Sequence, residues 1–170
     1  QPPTSALHLL PLTELSWRHA TQTYLVLNHL FLFAALGITL VTIKSTLPLR
    51  WVIAGVAVIV AFYSQLYMSF SLGQVDATIL LLLAIAFWGH TRNLPAVTGI
   101  AIAVAVAIKL IPGVLLLYFL WRREYRPVLW ACGAGAVLFL LSLVYVGIDT
   151  YRAFFEDTLP ALARGSTHYS

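Results

Sequence analysis

Long apolar stretches, separated by short polar or proline-containing turns, dominate this sequence. They cover about residues 23–43, 51–70, 77–88, 96–120 and 128–146. A helix needs about 20 apolar residues to cross a bilayer, so the first stretch is long enough, whereas the third also needs residues 71–76. The pattern predicts an all-α fold, a polytopic transmembrane helical bundle with about four to six membrane helices, some of them short or broken.

Composition supports a membrane protein and excludes several other classes. Of 170 residues, 61% are hydrophobic and 9% are charged, whereas a soluble domain carries about 25% charged residues. The net charge of +4 falls mostly at segment ends, which suits contact with membrane lipids. No basic stripe interleaved with aromatic residues indicates nucleic-acid binding. The single cysteine, Cys132, rules out an internal disulfide, and its apolar neighbours predict a small core residue.

The two ends of the chain differ from its apolar middle. Pro2 and Pro3 precede a short apolar helix expected at residues 4–12, and residues 151–162 predict a short amphipathic helix on the outer surface. The chain starts without a methionine or a signal sequence. We therefore expect residues 1–170 to form a single membrane domain, an interior piece of a longer protein, with residues 148–170 as an external amphipathic loop.

Positively charged loops predict the orientation of the helices. Residues 121–127 contain three arginines beside aromatic residues, and such a loop is typically cytoplasmic. Alternation from this loop puts residues 90–95 outside, residues 73–76 inside, and Lys44 and Arg50 outside, against the same rule. If the short third segment does not fully cross, Lys44 and Arg50 move inside. The charges alone favour neither arrangement.

Two ionisable residues, Asp76 and Lys109, lie within otherwise apolar sequence. A charge inside a membrane helix costs about 2.5–3.5 kcal/mol on insertion scales, so it is retained where it pairs, lines a watery cavity or takes part in chemistry. The turn between the two segments centres near residue 92. In an antiparallel hairpin the two positions then face each other, each about 25 Å from the tip. The spacing predicts an ion pair between Asp76 and Lys109.

Pro112 predicts a break in the helix beside Lys109. Proline lacks a backbone N–H, and its ring clashes with the carbonyl four positions earlier, here that of Ile108. Residues 63–76 are the most polar stretch within the apolar sequence and must face protein, water or a polar ligand. No phosphate-binding glycine loop, nucleophile elbow or metal-ligand spacing is present. The residues thus predict a polar site that fits a structural salt bridge, a solute transporter or a site for an anionic head group.

Several motifs resemble glycosyltransferase family 87, bacterial GT-C membrane glycosyltransferases that depend on polyprenyl-phosphate-mannose. The family pattern is Gly-Gln-x-Asn/Asp followed by Lys-x-x-Pro. It is matched here by Gly73-Gln74-Val75-Asp76 and Lys109-Leu110-Ile111-Pro112, with Trp121-Arg122-Arg123 beyond an aliphatic stretch. Pro2-Pro3 also resembles the family's Tyr-Pro-Pro-Leu entry into a membrane helix, with Gln1 in place of the tyrosine.

The resemblance implies a hexosyltransferase, usually a mannosyltransferase, of the bacterial plasma membrane. Such a multi-pass enzyme transfers the sugar from a polyprenyl-phosphate donor to a lipid-linked or glycan acceptor on the outer face. No cofactor and no metal are expected. Transporter and structural-subunit alternatives stay open beside it.

The resemblance also implies roles for individual residues. The substrate-binding site would consist of Gly73, Gln74, Asp76, Lys109 and Pro112. Asp76 would orient Lys109, whose ammonium would neutralise the leaving phosphate. The family's general base, an aspartate in the first external loop, would lie upstream of Gln1, so the catalytic residue is unassigned and this chain alone is expected to be inactive. Arg152 and His168 are weaker candidates for phosphate or acceptor contacts.

Overall fold

Helices joined by short turns make up the residues that the structure describes, and no strand occurs among them. A computed structural model describes residues 4, 13–43, 48–62, 75–158 and 160. Its elements are α1 (Trp17–Ile43), α2 (Leu49–Phe62), α3 (Asp76–Thr91), α4 (Pro95–Ile108), a 3-10 turn (Ile111–Gly113), α5 (Val114–Trp121), α6 (Tyr125–Val146), α7 (Ile148–Ala153) and a π-helical turn (Phe154–Thr158). The all-α prediction is confirmed for these residues. The expected helix at residues 4–12 lies, apart from Thr4, outside them.

Within the described part of the chain, two helices have the length and composition of membrane spans. α1 has 27 residues and α6 has 22, and both are strongly apolar. Only 17% of the most apolar stretch of α1 and 11% of that of α6 is buried within the chain, unlike the core helix of a soluble protein. Cys132, predicted as a core residue, is instead exposed on α6, because apolar sequence in such a helix also covers its outer surface. The apolar helices α3, α4 and α5 are shorter, and the predicted four to six spans stay a prediction.

Helices α3 and α4 form the antiparallel hairpin that the sequence predicts. Its turn ends α3 with Asn93 in a left-handed conformation (φ 55°), and the Leu94 N–H donates to the Gly89 carbonyl at 2.8 Å. Close to the turn, Thr98 of α4 is fully buried; its hydroxyl lies 3.1 Å from the Leu94 carbonyl and 3.4 Å from the Ala86 carbonyl of α3. The turn and this contact therefore determine which residues of α3 and α4 face each other along the rest of the hairpin.

The apolar segment expected at residues 96–120 is not one kinked helix. α4 ends at Ile108, and after the 3-10 turn α5 runs back along α4 in the opposite direction. Gly113 lies beside Val106, while Ile102 shares a buried cluster with Phe119. Contacts paired around residue 110 in this way indicate a second antiparallel hairpin. The prediction of a single segment is wrong because hydropathy carries no information on chain direction.

The loop that joins α3 to α4 and the loop that joins α5 to α6 lie together at one end of the bundle. The rings of His90, at the end of α3, and Phe119, near the end of α5, pack edge to face with 5.3 Å between their centres. His90 Nδ1 also lies 3.5 Å from Glu124 Oε2. Loops 91–94 and 122–124 therefore share one end, which we call the arginine end because it carries Arg92, Arg122, Arg123 and Arg126. The predicted placement of residues 90–95 and 121–127 on opposite sides is wrong, because the chain reverses between them.

Helix directions place the pair Asp76 and Lys109 at the end opposite the arginine end, because α3 begins there and α4 ends there. They also place Arg50. α1 runs parallel to α3, since Gly37 and Val41 share a groove with Ile85 and Trp88, whereas Tyr24 lies near Asp76. α1 therefore ends towards the arginine end. Pro48 follows Ile43 by five positions, so the two residues lie at most about 18 Å apart. Arg50 thus lies towards the arginine end, although Lys44 is outside the described residues.

The carboxyl end of α6 folds back on itself. α6 runs parallel to α4 and so ends on the side of Lys109. Gly147 (φ 80°) reverses the chain into α7, where buried Tyr151 contacts Ser142 through its hydroxyl and packs against Phe139 with 5.1 Å between ring centres. Glu156 is exposed in the following turn. The predicted amphipathic segment thus begins as α7 and the π-helical turn, and residues 161–170 lie outside the described residues.

Small residues allow α4 and α6 to approach closely, as the alanine- and glycine-rich sequence of α4 predicts. A Cβ atom built on Gly99 would lie 2.3 Å from the Pro127 carbonyl oxygen and 2.7 Å from Trp130 Cβ. On the outer side of α6, a Cβ on Gly133 would meet nothing within 4 Å. Close packing at Gly99 therefore holds α6 against the hairpins.

Gly99→Ala should destabilise the protein although alanine favours helices. The added methyl group would push α4 from the α6 backbone, and overpacking of this kind costs about 1–3 kcal/mol. Gly133→Ala is the matched control and should be neutral or stabilising by up to about 1 kcal/mol. Thermal unfolding of the full-length protein in detergent measures both. Equal melting temperatures for the two variants would contradict the close packing.

Single cysteines should show that loops 91–94 and 122–124 share one membrane side. In a cysteine-free full-length background, Asn93→Cys and Arg123→Cys should react alike with a membrane-impermeant maleimide, and Glu156→Cys should react from the opposite side. Intact cells and inverted vesicles provide the two exposures. Labelling of positions 93 and 123 from opposite sides would mean that residues 95–121 cross the membrane once.

Candidate functional site

The predicted ion pair between Asp76 and Lys109 is present. Lys109 Nζ donates to Asp76 Oδ1 at 3.0 Å. The Lys109 side chain is 38% exposed and that of Asp76 is 40% exposed, so both remain accessible to a ligand. An ammonium has three donors, and this bond uses one of them. The pair therefore joins two helices and still offers positive hydrogen-bond donors to an anion.

Helix ends stabilise both members of the pair. Asp76 lies in the first turn of α3, and Lys109 directly follows the last residue of α4. A helix presents partial positive charge at its amino end and partial negative charge at its carboxyl end. The hairpin therefore brings a carboxylate at a positive helix end next to an ammonium at a negative one. The partial charges of the two helix ends thus have the sign opposite to that of the side chain each of them carries.

The break in the helix occurs at Lys109 itself. Its backbone is extended (φ −148°, ψ 129°), although its N–H still donates to the Ala105 carbonyl at 2.9 Å. The buried Pro112 follows within the 3-10 turn. Because the proline has no N–H, the Ile108 carbonyl cannot receive its usual helical bond. The predicted break is confirmed, and it is a reversal of the chain rather than a kink.

Thr4 closes part of this break from the distant amino-terminal region. Its hydroxyl donates to the Ala107 carbonyl at 2.5 Å. In a continuous helix that carbonyl would accept from the N–H of Ile111, which now belongs to the 3-10 turn. A carbonyl left without a donor inside a protein is costly, so the hydroxyl stabilises the carboxyl end of α4. Thr4 thus supports the backbone that carries Lys109.

α1 brings one polar side chain, Tyr24, near the ion pair. Tyr24 interacts with Asn28 on its own helix and lies within electrostatic range of Asp76. Asn28 is 2% exposed, and its amide group donates to the Tyr24 carbonyl at 3.0 Å. The sequence predicts Asn28 and His29 as partners between helices. One bond of each residue runs to a carbonyl of α1 itself, for His29 to that of Leu25 at 2.7 Å, and bonds between helices stay a prediction.

The other predicted site residues are distributed between described and undescribed parts of the chain. Gly73, Gln74 and the polar run 63–74 lie outside the described residues, as does His168. Arg152 is exposed on α7 and lies 3.9 Å from Glu156. Within the part of the chain that the structure describes, no group of His, Cys, Asp and Glu side chains could hold a metal ion.

Thr4 and Tyr24 are site neighbours that sequence reasoning misses. Thr4 lies 103 positions from its carbonyl partner, and nothing in its local sequence distinguishes it from other threonines. Tyr24 begins an apolar segment, where tyrosine is common at a membrane interface. Only the parallel packing of α1 on α3 brings it near Asp76.

The fold and the site define a class of protein: it is all-helical, and a lysine paired with a carboxylate lies at a break in an apolar helix. Membrane transferases and transporters both belong to this class. This chain belongs to glycosyltransferase family 87, whose sequence profile matches residues 1–170. Family membership favours a glycosyltransferase over the transporter and structural alternatives.

One curated relative in Mycobacterium tuberculosis is a polyprenol-phosphate-mannose-dependent alpha-(1-2)-phosphatidylinositol mannoside mannosyltransferase. The two sequences are 28% identical over an alignment of 170 positions, which covers 93% of this chain and 39% of the relative. The chain thus spans well under half the length of that enzyme. No solved structure matches the chain.

Replacement of Thr4 should show how far it supports the helix break. Thr4→Val removes the hydroxyl but keeps the shape, and we expect a loss of about 1 kcal/mol in the free energy of unfolding. Thr4→Ser should retain most of the stability. Thr21→Val is the control, because the exposed Thr21 hydroxyl bonds only within its own helix, to the Trp17 carbonyl. Thermal unfolding of the full-length protein measures these effects, and equal stability of Thr4→Val and Thr4→Ser would contradict the role.

Proposed function

We propose that this chain forms part of a membrane enzyme that transfers a hexose, mannose, from polyprenyl phosphate to a lipid-linked or glycan acceptor. The observation that carries the proposal is the accessible Lys109–Asp76 pair at the reversal between α4 and α5. Membership in glycosyltransferase family 87 and the donor named for the mycobacterial relative support this choice. Gly73, Gln74 and Pro112 complete the proposed substrate-binding site.

In the proposed mechanism Lys109 stabilises the departing phosphate. The acceptor hydroxyl oxygen attacks the anomeric carbon, and the bond from that carbon to the phosphate oxygen breaks. The electron pair stays on the phosphate, so negative charge develops there. The two donors of the ammonium that Asp76 does not use face this charge, and fixed donors of this kind stabilise a transition state. The acceptor proton passes to a general base outside this set of residues.

Asp76 acts as the positioning group for Lys109. A lysine side chain is long and flexible, so its ammonium is of most use when one donor is anchored. The Oδ1 contact of 3.0 Å provides that anchor. The carboxylate would also repel a phosphate placed beside it, so we propose that the phosphate binds on the side of Lys109 away from Asp76.

A groove between α1 and α3 is suited to the apolar part of the donor. It has a volume of about 380 Å³ and is lined by Gly37, Ile38, Val41, Ile85 and Trp88. On α3 the lining begins nine residues after Asp76, a rise of about 14 Å. A prenyl chain that leaves a phosphate at Lys109 and follows α1 and α3 into the membrane would reach it. We therefore propose that this groove holds isoprene units of the donor.

The outer face is the proposed side of the reaction. The arginine end carries most of the cationic loop residues, which favours a cytoplasmic position. The ion pair lies at the other end of the bundle, with α7 and the exposed Glu156. The donor phosphate would accordingly bind at the outer side of a multi-pass plasma-membrane protein.

Lys109→Met in the full-length enzyme should reduce mannose transfer by about a hundredfold or more, the loss typical when one transition-state donor is removed. Asp76→Asn should reduce transfer less, because asparagine can still accept a hydrogen bond from the lysine. Arg50→Met, which removes an exposed cation far from the pair, is the matched control and should be neutral. Transfer from polyprenyl-phosphate-mannose in membranes measures all three.

The double variant Lys109→Met with Asp76→Leu separates catalysis from structure. If the pair only locks two helices, replacing both charges by apolar side chains should restore a folded and active protein. We expect a folded protein without transfer activity. Activity of the double variant near that of the unmodified enzyme would overturn the role of Lys109 in phosphate stabilisation.

A further inference from the structure

The arginine end is built from two loops with the same backbone design. The loop after α3 contains Asn93 in the left-handed conformation, and the loop after α5 contains Arg123 in the same conformation (φ 59°). In each loop the N–H after that residue donates to a carbonyl five positions back, from Leu94 to Gly89 and from Glu124 to Phe119, at 2.8 and 2.9 Å. Such closing bonds end a helix in a defined conformation. The guanidinium groups therefore project from an ordered base.

Glu124 ties the two loops together. Its carboxylate accepts from Arg122 Nε at 2.9 Å and lies 3.5 Å from His90 Nδ1. The Tyr118 phenol and the Glu124 carboxylate both raise the pKa of Arg122, so this guanidinium stays protonated. The other five acidic residues of the sequence lie at the opposite helix ends. Glu14 precedes α1, Asp76 begins α3, and Asp149, Glu156 and Asp157 follow α6.

Three arginines remain available at this surface. Among the described residues, no carboxylate forms an ion pair with Arg92, Arg123 or Arg126. All three are exposed. Together with Arg122 they bring positive charge from both loops onto one face, an arrangement that the sequence does not reveal because it separates the loops by a long apolar stretch.

Aromatic side chains surround this basic surface. Trp121 is 83% exposed, and Tyr125 and Trp130 are also more than half exposed. Tryptophan and tyrosine favour the depth at which hydrocarbon meets lipid head groups. Further along α6, exposed apolar residues such as Leu129 and Leu140 continue the surface into the membrane. The basic surface therefore lies at the level of head-group phosphates.

We propose that the arginine end binds the head groups of anionic phospholipids. Arginine forms charge-assisted, often paired hydrogen bonds with phosphate, and three of these guanidinium groups have no carboxylate to neutralise them. The aromatic border favours a lipid over a soluble acidic protein, because it places the arginines at a bilayer surface. The site is separate from the Lys109–Asp76 pair, at the opposite end of α3 and α4, and does not depend on the transferase activity.

Fluorescence quenching by brominated lipids tests the proposal on the full-length protein in vesicles. Brominated phosphatidylglycerol and brominated phosphatidylcholine are compared as quenchers of tryptophan, which Trp121 and Trp130 provide at this surface. The unmodified protein should bind phosphatidylglycerol more tightly by at least about fivefold, the factor that one arginine near an anionic surface supplies. Raising the salt to about 1 M, where the Debye length falls to about 3 Å, should reduce this preference.

The variant Arg92→Gln/Arg123→Asn/Arg126→Gln should lose the preference. Asparagine is chosen at position 123 because it adopts the left-handed backbone readily. The matched control, Arg18→Gln/Arg152→Gln, removes exposed arginines at the other end and should keep the preference. Preserved orientation is checked by maleimide labelling of Glu156→Cys, and the single variants replace the triple one if it does not insert.

Two outcomes would overturn the proposal. One is an unchanged phosphatidylglycerol preference in the triple variant. The other is an equal loss in the control, which would mean that total positive charge and not this surface attracts the lipid. Mannose transfer by the detergent-solubilised triple variant should stay near that of the unmodified enzyme, so failure of this proposal and failure of the transferase proposal are distinguishable.

Discussion

A positive charge in an apolar chain has to be neutralised close by, and the ammonium of Lys109 imposes this requirement on the rest of the structure. Asp76 meets it only if α3 and α4 pack as an antiparallel hairpin in one register. The same register puts both groups at helix ends whose partial charges favour them. α1 then brings Tyr24 near Asp76. The packing of three helices thus follows from the position of one ion pair.

The reversal at residues 109–113 determines the surroundings and the exposure of this pair. In a continuous helix Lys109 would lie within the helix and not at its end. The backbone carbonyls near it would accept regular helical hydrogen bonds. The break instead ends α4 at the lysine, exposes its side chain and frees a carbonyl that Thr4 then binds. It also turns α5 back, so that the loop before α4 and the loop after α5 meet through His90 and Glu124. A single irregular stretch therefore defines both ends of the bundle.

The contact between Asp76 and Lys109 could be predicted because it depends on local features. A polar turn marks the centre of the hairpin, and helical rise fixes which positions face each other. Pro112 likewise indicates a break. The direction of the chain after the break could not be predicted, since it depends on packing such as that of Gly113 against Val106. Thr4 and Tyr24 were missed for a related reason: their partners are distant in sequence, and each looks ordinary among its neighbours.

The bond from Thr4 to the Ala107 carbonyl has a consequence for the timing of assembly during synthesis. A ribosome adds about 5–20 residues per second, so the 103 positions between the partners take about 5–20 s. The 33 positions between Asp76 and Lys109 take about 2–7 s. Ala107 and Lys109 are only two positions apart, so both bonds become possible at almost the same time. The two partners differ in how long they wait: Thr4 has to stay unbonded to its partner while more than half of the chain is made, about three times as long as Asp76 waits for Lys109.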